Sequence, residues 1–207
     1  SCRTMFSKRA GIGGLDVGSV QLKLNDDGFY TLMIGCSDMG TGCDTILAQM
    51  AADGLGCDMD NIIVRGVDTD QSPYDSGSYA SSTTYVTGGA VVKACESMRK
   101  RICEEAAAIM GLKSGEVDFD GETISENDNP EHSMTLSDLI TSLEAGNGRI
   151  IEVTESHTSP VSPPPFMAGA AEIEVDLETG KITPINYVAA VDCGTVINTN
   201  LARIQTE

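Results

Sequence analysis

In SVQLKLN, Ser19 to Asn25, the apolar residues Val20, Leu22 and Leu24 alternate with polar neighbours, and FYTLMIG continues the pattern after Asp26-Asp27-Gly28. Alternation on both sides of a short Asp/Gly turn predicts a β-hairpin. The period then changes. Across GCSDMGTGCDTILAQMAADGL, Gly35 to Leu55, the chain reads as the end of a strand, a glycine loop and a helix. Ile46, Leu47, Met50, Ala51 and Leu55 fall on one face of that helix, with Asp44 or Thr45 as its N-cap. NIIVR, Asn61 to Arg65, predicts a short strand. In the long helix that follows, Val86, Ala90, Ala94, Met98, Ile102 and Ile109 mark the buried side, and Arg99, Lys100, Arg101 and Glu104 the solvated side.

The remainder alternates shorter signals. VDF and ETIS flank Asp120-Gly121 as a hairpin, TLSDLITSLEAG is a capped helix from Thr135 ending at Gly146, and RIIEVTESHT is a strand. HTSPVSPPPF, His157 to Phe166, is extended and proline-rich, and marks a connection in which His157 reads as an exposed loop residue. Strands from Ala170 to Asp176 and Lys181 to Ala190 form a last hairpin around Glu178-Thr179-Gly180, followed by a helix start at Asn198 to Asn200. The short turns predict an α+β fold with a mixed, mostly antiparallel sheet, its hairpins packed with helices in two small lobes. Residues 1–18, basic and glycine-rich, read as a linker or packing segment, 19–157 as the first part of a lobe and 158–207 as its second part.

Composition narrows the partners. The 207 residues carry a formal charge of −18, which opposes approach to nucleic acid or an acidic membrane and otherwise serves solubility. Hydrophobic residues make up 41% but aromatics only 4%, so the core is built from Ala, Val, Ile, Leu and Met. The seven cysteines form no CxxC pair and are odd in number, and His132 and His157 stand far apart. The cysteines are therefore read as small hydrophobes in a reducing cytoplasm, and no metal ligands are nominated. No apolar run approaches a membrane span and no signal peptide is visible. The chain opens at Ser1 without Met and closes at Glu207 straight after a predicted helix start, so a piece of a larger protein, cut short at its C-terminal end, is expected.

Two segments carry candidate chemistry. Gly40 and Gly42 flank Thr41 ahead of a helix, so backbone amides there either simply connect two elements or hold an anion or polar cofactor. From Asp68 to Thr84 a polar segment with Pro73 and Gly77 ends in Ser81, Ser82, Thr83 and Thr84 before the long helix, either as a plain cap or as a second anion-binding end that converges with the first. Gly88 and Gly89 inside that helix cost roughly 1 kcal/mol each relative to Ala, and a close neighbour must compensate.

These two blocks, followed by AAEIEVDLETGKITPINYVAAVDCGTVINTNLARIQTE, resemble in order and spacing the second cofactor-binding lobe of the molybdenum subunit in the xanthine dehydrogenase and aldehyde oxidase family. The resemblance spans roughly Val20 to the end. It implies that Gly40, Thr41 and Gly42 stand at the family's GQG loop on the pterin, with Thr41 replacing the usual Gln. Ser81, Ser82, Thr83 and Thr84 stand where the cofactor's phosphate or dinucleotide tail is held, without the family's Arg. Asp192, Gly194, Asn198, Gln205 and Glu207 match the third block, with Gln205 as a cofactor contact and Thr199 where Pro is common. The implied activity is oxidative hydroxylation of a purine, another N-heterocycle or an aldehyde at a molybdenum-pterin cofactor. The family's catalytic glutamate lies beyond this chain, which therefore holds no catalytic residue and is expected to be inactive alone. Iron-sulfur clusters and FAD are expected on partner modules, and the other lobe of the molybdenum subunit completes the site.

Other classes fit less well. A Rossmann-like nucleotide-binding protein needs a third glycine where Thr45 stands, and the preceding strand belongs to a hairpin instead of opening a βαβ unit. A non-catalytic interaction lobe that has lost the cofactor is kept in view by Thr41 and the absent Arg. A serine hydrolase lacks a GxSxG elbow.

Overall fold

A computed structural model of the chain describes residues 16–79, 81–159 and 165–206. Two compact units emerge, one within residues 16–159 and one within 165–206. The linker reading of residues 1–15 and the proline run 160–164 lie outside the described residues, as does Glu207.

In the first unit the predicted hairpin forms, β1 (Val17–Leu24) pairing antiparallel with β2 (Tyr30–Ile34). Alternation puts Val20, Leu22 and Leu24 on the same inward face as Tyr30, Leu32 and Ile34, all buried. β2 then leads through the glycine loop into α1 (Cys43–Leu55) and back to β3 (Ile62–Arg65), which lies parallel to β2. The expectation that this strand opens no βαβ unit is therefore corrected: β2 serves a hairpin on one edge and a crossover on the other. β7 (Glu152–Thr158) completes the sheet beside β1, in the order β3-β2-β1-β7.

α2 (Thr83–Met110) lies against α1 and the sheet, burying Val86, Ala90, Ala94, Met98 and Ile102 as the spacing predicts. Ile109 does not join them; it is exposed, and Ala106 and Ala107 fill the stripe instead. Small residues let the backbones meet. A Cβ on Gly88 would lie 2.7 Å from Met50 Cε of α1, and one on Gly89 would lie 2.4 Å from the His157 ring. The compensation for two helix glycines is thus packing against a helix and a strand. His157 is not a loop residue: it sits on β7, pressed onto α2, and burial first and Lys93 second hold its imidazole pKa below the usual value.

Arg99 is also corrected. Its guanidinium lies over the Phe119 ring, 5.4 Å from the centroid, and donates to the carbonyl of Leu55 at 3.2 Å and to that of Phe119. It therefore ties the end of α1 to a second, small sheet of β4 (Val117–Phe119), β5 (Thr123–Glu126) and β6 (Asn129–Thr135). The first two strands form the hairpin read at Asp120-Gly121; β6 carries no clear alternation and was not foreseen. α3 (Leu136–Asn147) follows, with Thr135 and Asp138 in a reciprocal capping box, and its C-cap is Gly148, two residues past the predicted Gly146.

The second unit is a long antiparallel hairpin, β8 (Phe166–Val175) with β9 (Ile182–Asp192), then α4 (Thr199–Ile204) capped by Asn198. Asp176 accepts the amides of Glu178 and Thr179 and shapes its turn. The whole is α+β, as the turn pattern predicts.

Gly18 of β1 touches the start of α2 so closely that a Cβ would lie 2.5 Å from Thr87 Cα and 2.9 Å from the Val86 carbonyl carbon. Gly18→Ala is therefore expected to destabilise by about 1–3 kcal/mol in denaturant unfolding, because the obstacle is backbone. Gly146→Ala, in an open stretch of α3, is expected to stabilise by about 0.5–1 kcal/mol in the same measurement.

Candidate functional site

The first loop begins where β2 ends. Gly35 is required there, since a Cβ would lie 2.4 Å from the Pro73 carbonyl oxygen. Cys36 is wholly buried behind the loop, and its thiol pKa is held far above the usual range, first by a hydrogen bond with Cys43 and then by burial. Gly40 and Gly42 adopt φ of +96° and +76°, left-handed values that favour glycine. The sequence places bare amides here, with Asp44 or Thr45 capping. The structure differs. Asp38 Oδ1 accepts from Gly40 N at 2.8 Å and Gly42 N at 3.1 Å, and Oδ2 accepts from Asp44 N at 3.3 Å. Gly42 is the N-cap and offers no side chain.

A carboxylate of the chain thus occupies the ring of amides that an external anion would need. Slight burial works against the ionised form of Asp38, but the amides of Gly40, Gly42, Asp44 and Thr41 outweigh it and hold the pKa below the ordinary value. Asp44 is pushed up by partial burial and then by the charge of Asp38, against a hydrogen bond from Cys43. The ligand atoms of Asp38, Cys43 and Asp44 lie within 4.8 Å of one another, but both Asp38 oxygens are committed to amides and we assign no metal to the group.

The second loop is fixed by a different set. Ser76 exchanges backbone and side-chain hydrogen bonds with Val17 at the start of β1. Asp75 Oδ1 accepts from Gly77 N and Oδ2 from Thr87 Oγ1. Ser78 Oγ donates to the Ser37 carbonyl at 2.6 Å, so the approaches to α1 and α2 are joined directly. Among the described residues Ser81 alone is a non-glycine with positive φ, at 56°, a strained backbone placed immediately before α2.

At the start of α2 the electrostatics are opposite to those of α1. Ser82 is the N-cap, but its hydroxyl donates backward to the Tyr79 carbonyl at 2.6 Å and caps nothing; no acidic residue occupies the first turn. The amides of Thr83 and Thr84 receive no side-chain cap, and the hydroxyls of Ser81 and Thr84 stand on exposed residues. This donor set fits an anionic group held by amides and hydroxyls, as an acidic chain requires. The Gly40–Gly42 loop fits an uncharged one: Gly40 has open space where a Cβ would stand, Thr41 is half-buried, and the amides of Gly40 and Gly42 are already used.

Of the candidate residues, Gly40, Thr41 and Gly42 and the run from Ser81 to Thr84 belong to the first unit, on joined loops. Gln205 belongs to the second, as the exposed C-cap of α4. There Asp192 accepts the Gly194 amide and Asn198 the Leu201 amide, so both motif residues serve as local turn and cap. Asp38, Asp75 and Thr87 were missed by sequence reasoning. The available signal was Asp two residues before glycine, in Asp38-Met39-Gly40 and Asp75-Ser76-Gly77. An open groove lined by Leu24, Asn25, Leu143, Arg149 and Ile151 receives no residue of either loop.

Comparison with known proteins gives a consistent picture. The family model described as the molybdopterin cofactor-binding domain matches residues 3–207. The probable hypoxanthine oxidase XdhD of Escherichia coli K12 is 32% identical over 199 residues, covering 96% of this chain and 21% of that protein. The carbon monoxide dehydrogenase large chain of Afipia carboxidovorans is 27% identical over 201 residues, covering 93% of this chain and 24% of that one. Among solved structures, reconstituted CO dehydrogenase from Oligotropha carboxidovorans matches with a TM-score of 0.77 at 25% identity, covering 91% of this chain and 24% of that one. Quinoline 2-oxidoreductase from Pseudomonas putida 86, at 22% identity and TM-score 0.78, covering 92% of this chain and 25% of that one, shares the fold. The chain spans about a fifth to a quarter of the length of these relatives.

The lowered pKa of Asp38 fixes the sign of a pH effect. Its hold on the loop is complete above the ordinary carboxylate value of about 3.9 and is lost as pH falls through the lowered folded value. Amide exchange of residues 40–44, corrected for intrinsic rates, is expected to accelerate only below pH ~3.9, and Asp38→Ala is expected to show the fast exchange at every pH.

Proposed function

The chain belongs to the molybdopterin cofactor-binding domain family, and from that premise we propose that it forms part of the cofactor site of a molybdenum hydroxylase acting on a purine, another N-heterocycle or an aldehyde. The observation that carries this reading is the pairing of a family match across nearly the whole chain with an uncapped, hydroxyl-rich helix start at Ser81–Thr84. The amides of Thr83 and Thr84, with the hydroxyls of Ser81 and Thr84, hold the phosphate end of the cofactor. Gly40 and Thr41 meet the uncharged pterin, and Gln205 is proposed as a cofactor contact on the resemblance of its own block alone. Residues 19–157 and 158–207 then act as two parts of one cofactor-binding lobe.

When bound, the molybdenum-pterin group supplies two-electron redox chemistry and oxygen transfer to carbon. The residues of this chain bind and orient it, and none of them is proposed as the general base. The other lobe of the subunit supplies that base, and iron-sulfur and flavin modules carry the electrons away. Relatives described as a large chain and as a molybdenum-binding subunit support a multi-subunit setting. A cytoplasmic compartment goes with this reading. Among the described residues no helix is long and apolar enough to cross a membrane.

The test is elemental and pterin analysis of the native complex that contains this chain. About one molybdenum and one pterin per complex are expected; a fully assembled complex with neither leaves a binding lobe without cofactor and overturns the reading. Replacing Ser81 by Ala and Thr84 by Val removes the two hydroxyls, each worth about 0.5–1.5 kcal/mol in a hydrogen bond, and is expected to lower retained pterin roughly tenfold.

A further inference from the structure

Two loops that meet one cofactor must keep a fixed spacing, and in this chain Asp75 and Ser78 stand where the two segments touch. Asp75 lies half-buried in the segment that leads to α2. Its Oδ1 accepts from Gly77 N at 2.8 Å and shapes its own loop. Its Oδ2 does something else: it accepts from Thr87 Oγ1 at 2.9 Å. Thr87 is 1% exposed, on α2 one turn beyond Thr83, so its hydroxyl has little access to water and relies on protein acceptors. The side chain of Asp75 also rests against the other loop. A Cβ on Gly35 would lie 2.6 Å from Asp75 Cβ, and Gly35 is followed by Cys36, Ser37 and Asp38, which lead into the Gly40–Gly42 turn. Ser78, three residues past Asp75, donates to the Ser37 carbonyl and closes the connection.

We infer that Asp75 is a positioning residue that clasps the glycine loop before α1 to the hydroxyl-rich loop before α2, so that the two present one preset surface to the cofactor. This rests on the proposed function for its ligand, but the clasp itself is a property of the two loops. It sets Asp75 apart from the aspartates that bond only their own turn: its carboxylate bonds its turn and a buried hydroxyl on α2, and its Cβ packs against the end of β2. Thr41, Thr83 and Thr84 then owe their relative placement to a side chain that need not touch the cofactor.

The experiment is amide hydrogen exchange on the intact complex, as purified and after cofactor removal, for Asp75→Ala, Asp75→Asn and Thr87→Val. Asp75→Ala, which frees the Gly77 amide and the Thr87 hydroxyl that also meets Cys36, is expected to speed exchange roughly tenfold or more in 76–86 and, through the loosened Thr87–Cys36 contact, several-fold in 36–44, while β1, β7 and α3 keep their rates. Asp75→Asn, whose oxygen still accepts from Gly77, is expected to rescue 76–78. Thr87→Val, which removes a hydroxyl with little change of shape, is expected to loosen 36–44 without unfolding the chain, so the idea stays testable if Asp75→Ala fails to assemble. In the loaded complex, pterin loss on dilution is expected to accelerate in step with exchange. Acceleration confined to 76–86 reduces Asp75 to a local turn residue and overturns the clasp, as does uniform acceleration through β1, β7 and α3. Absence of pterin from the wild-type complex counts against the proposed function alone, since exchange in the cofactor-free state still decides the clasp.

Discussion

One interaction recurs at the turns of this chain: an aspartate carboxylate accepting the backbone amide two residues ahead. Asp27, Asp38, Asp68, Asp75, Asp120, Asp176 and Asp192 all make it. The reason is physical. A tight turn leaves amides without carbonyl partners, and a short charged side chain satisfies them locally. The turns so fixed include the reversals of the β1–β2, β4–β5 and β8–β9 hairpins and the loops before α1 and α2. Part of the acidity that reads as solubility in the composition is therefore internal, spent on shaping backbone. It also decides where an external anion is welcome, since an amide already bonded to a carboxylate has no proton left to offer a phosphate.

The packing follows the same economy of small groups. With few aromatics, the elements are brought together through glycines at which backbone meets backbone or a single side chain. Gly18 touches the start of α2, Gly35 touches the Pro73–Asp75 segment, Gly54 touches Cys95, and Gly121 lies against the Gly56 carbonyl. Most of these contacts gather where the helices begin and end, and Arg99 adds a cation at the far end of α1. The consequence is a rigid frame around two loops whose own residues are largely exposed.

Much of the fold was legible. Period-two alternation found β1 and β2, and the three-to-four spacing found α1 and α2, because in each case one face is buried and selects apolar residues at that interval. β6 was missed because its residues are mostly exposed and select nothing. The parallel pairing of β3 was missed because partner choice is a non-local property. Arg99 was misread because a long side chain can leave a polar helix face to reach carbonyls on another element. At the site, the glycines and the hydroxyl run were readable, whereas Asp38, Asp75 and Thr87 act through distances that no linear pattern reports. Ser82 lies in the same segment but turns its hydroxyl back to the Tyr79 carbonyl, a direction that no linear pattern reports.

β1 sits between β2 and β7, and the two neighbours reach it on very different schedules. The hairpin with β2 closes across residues 25–29, while β7 begins only at Glu152. At a synthesis rate of ~5–20 residues per second, on the order of ten seconds pass on the ribosome with one edge of β1 unpaired and its apolar face waiting for α2. An exposed strand edge is an invitation to the wrong partner. Until β7 emerges that edge stays open, and the small sheet and α3 are sequence that the nascent chain must traverse before it can shield itself.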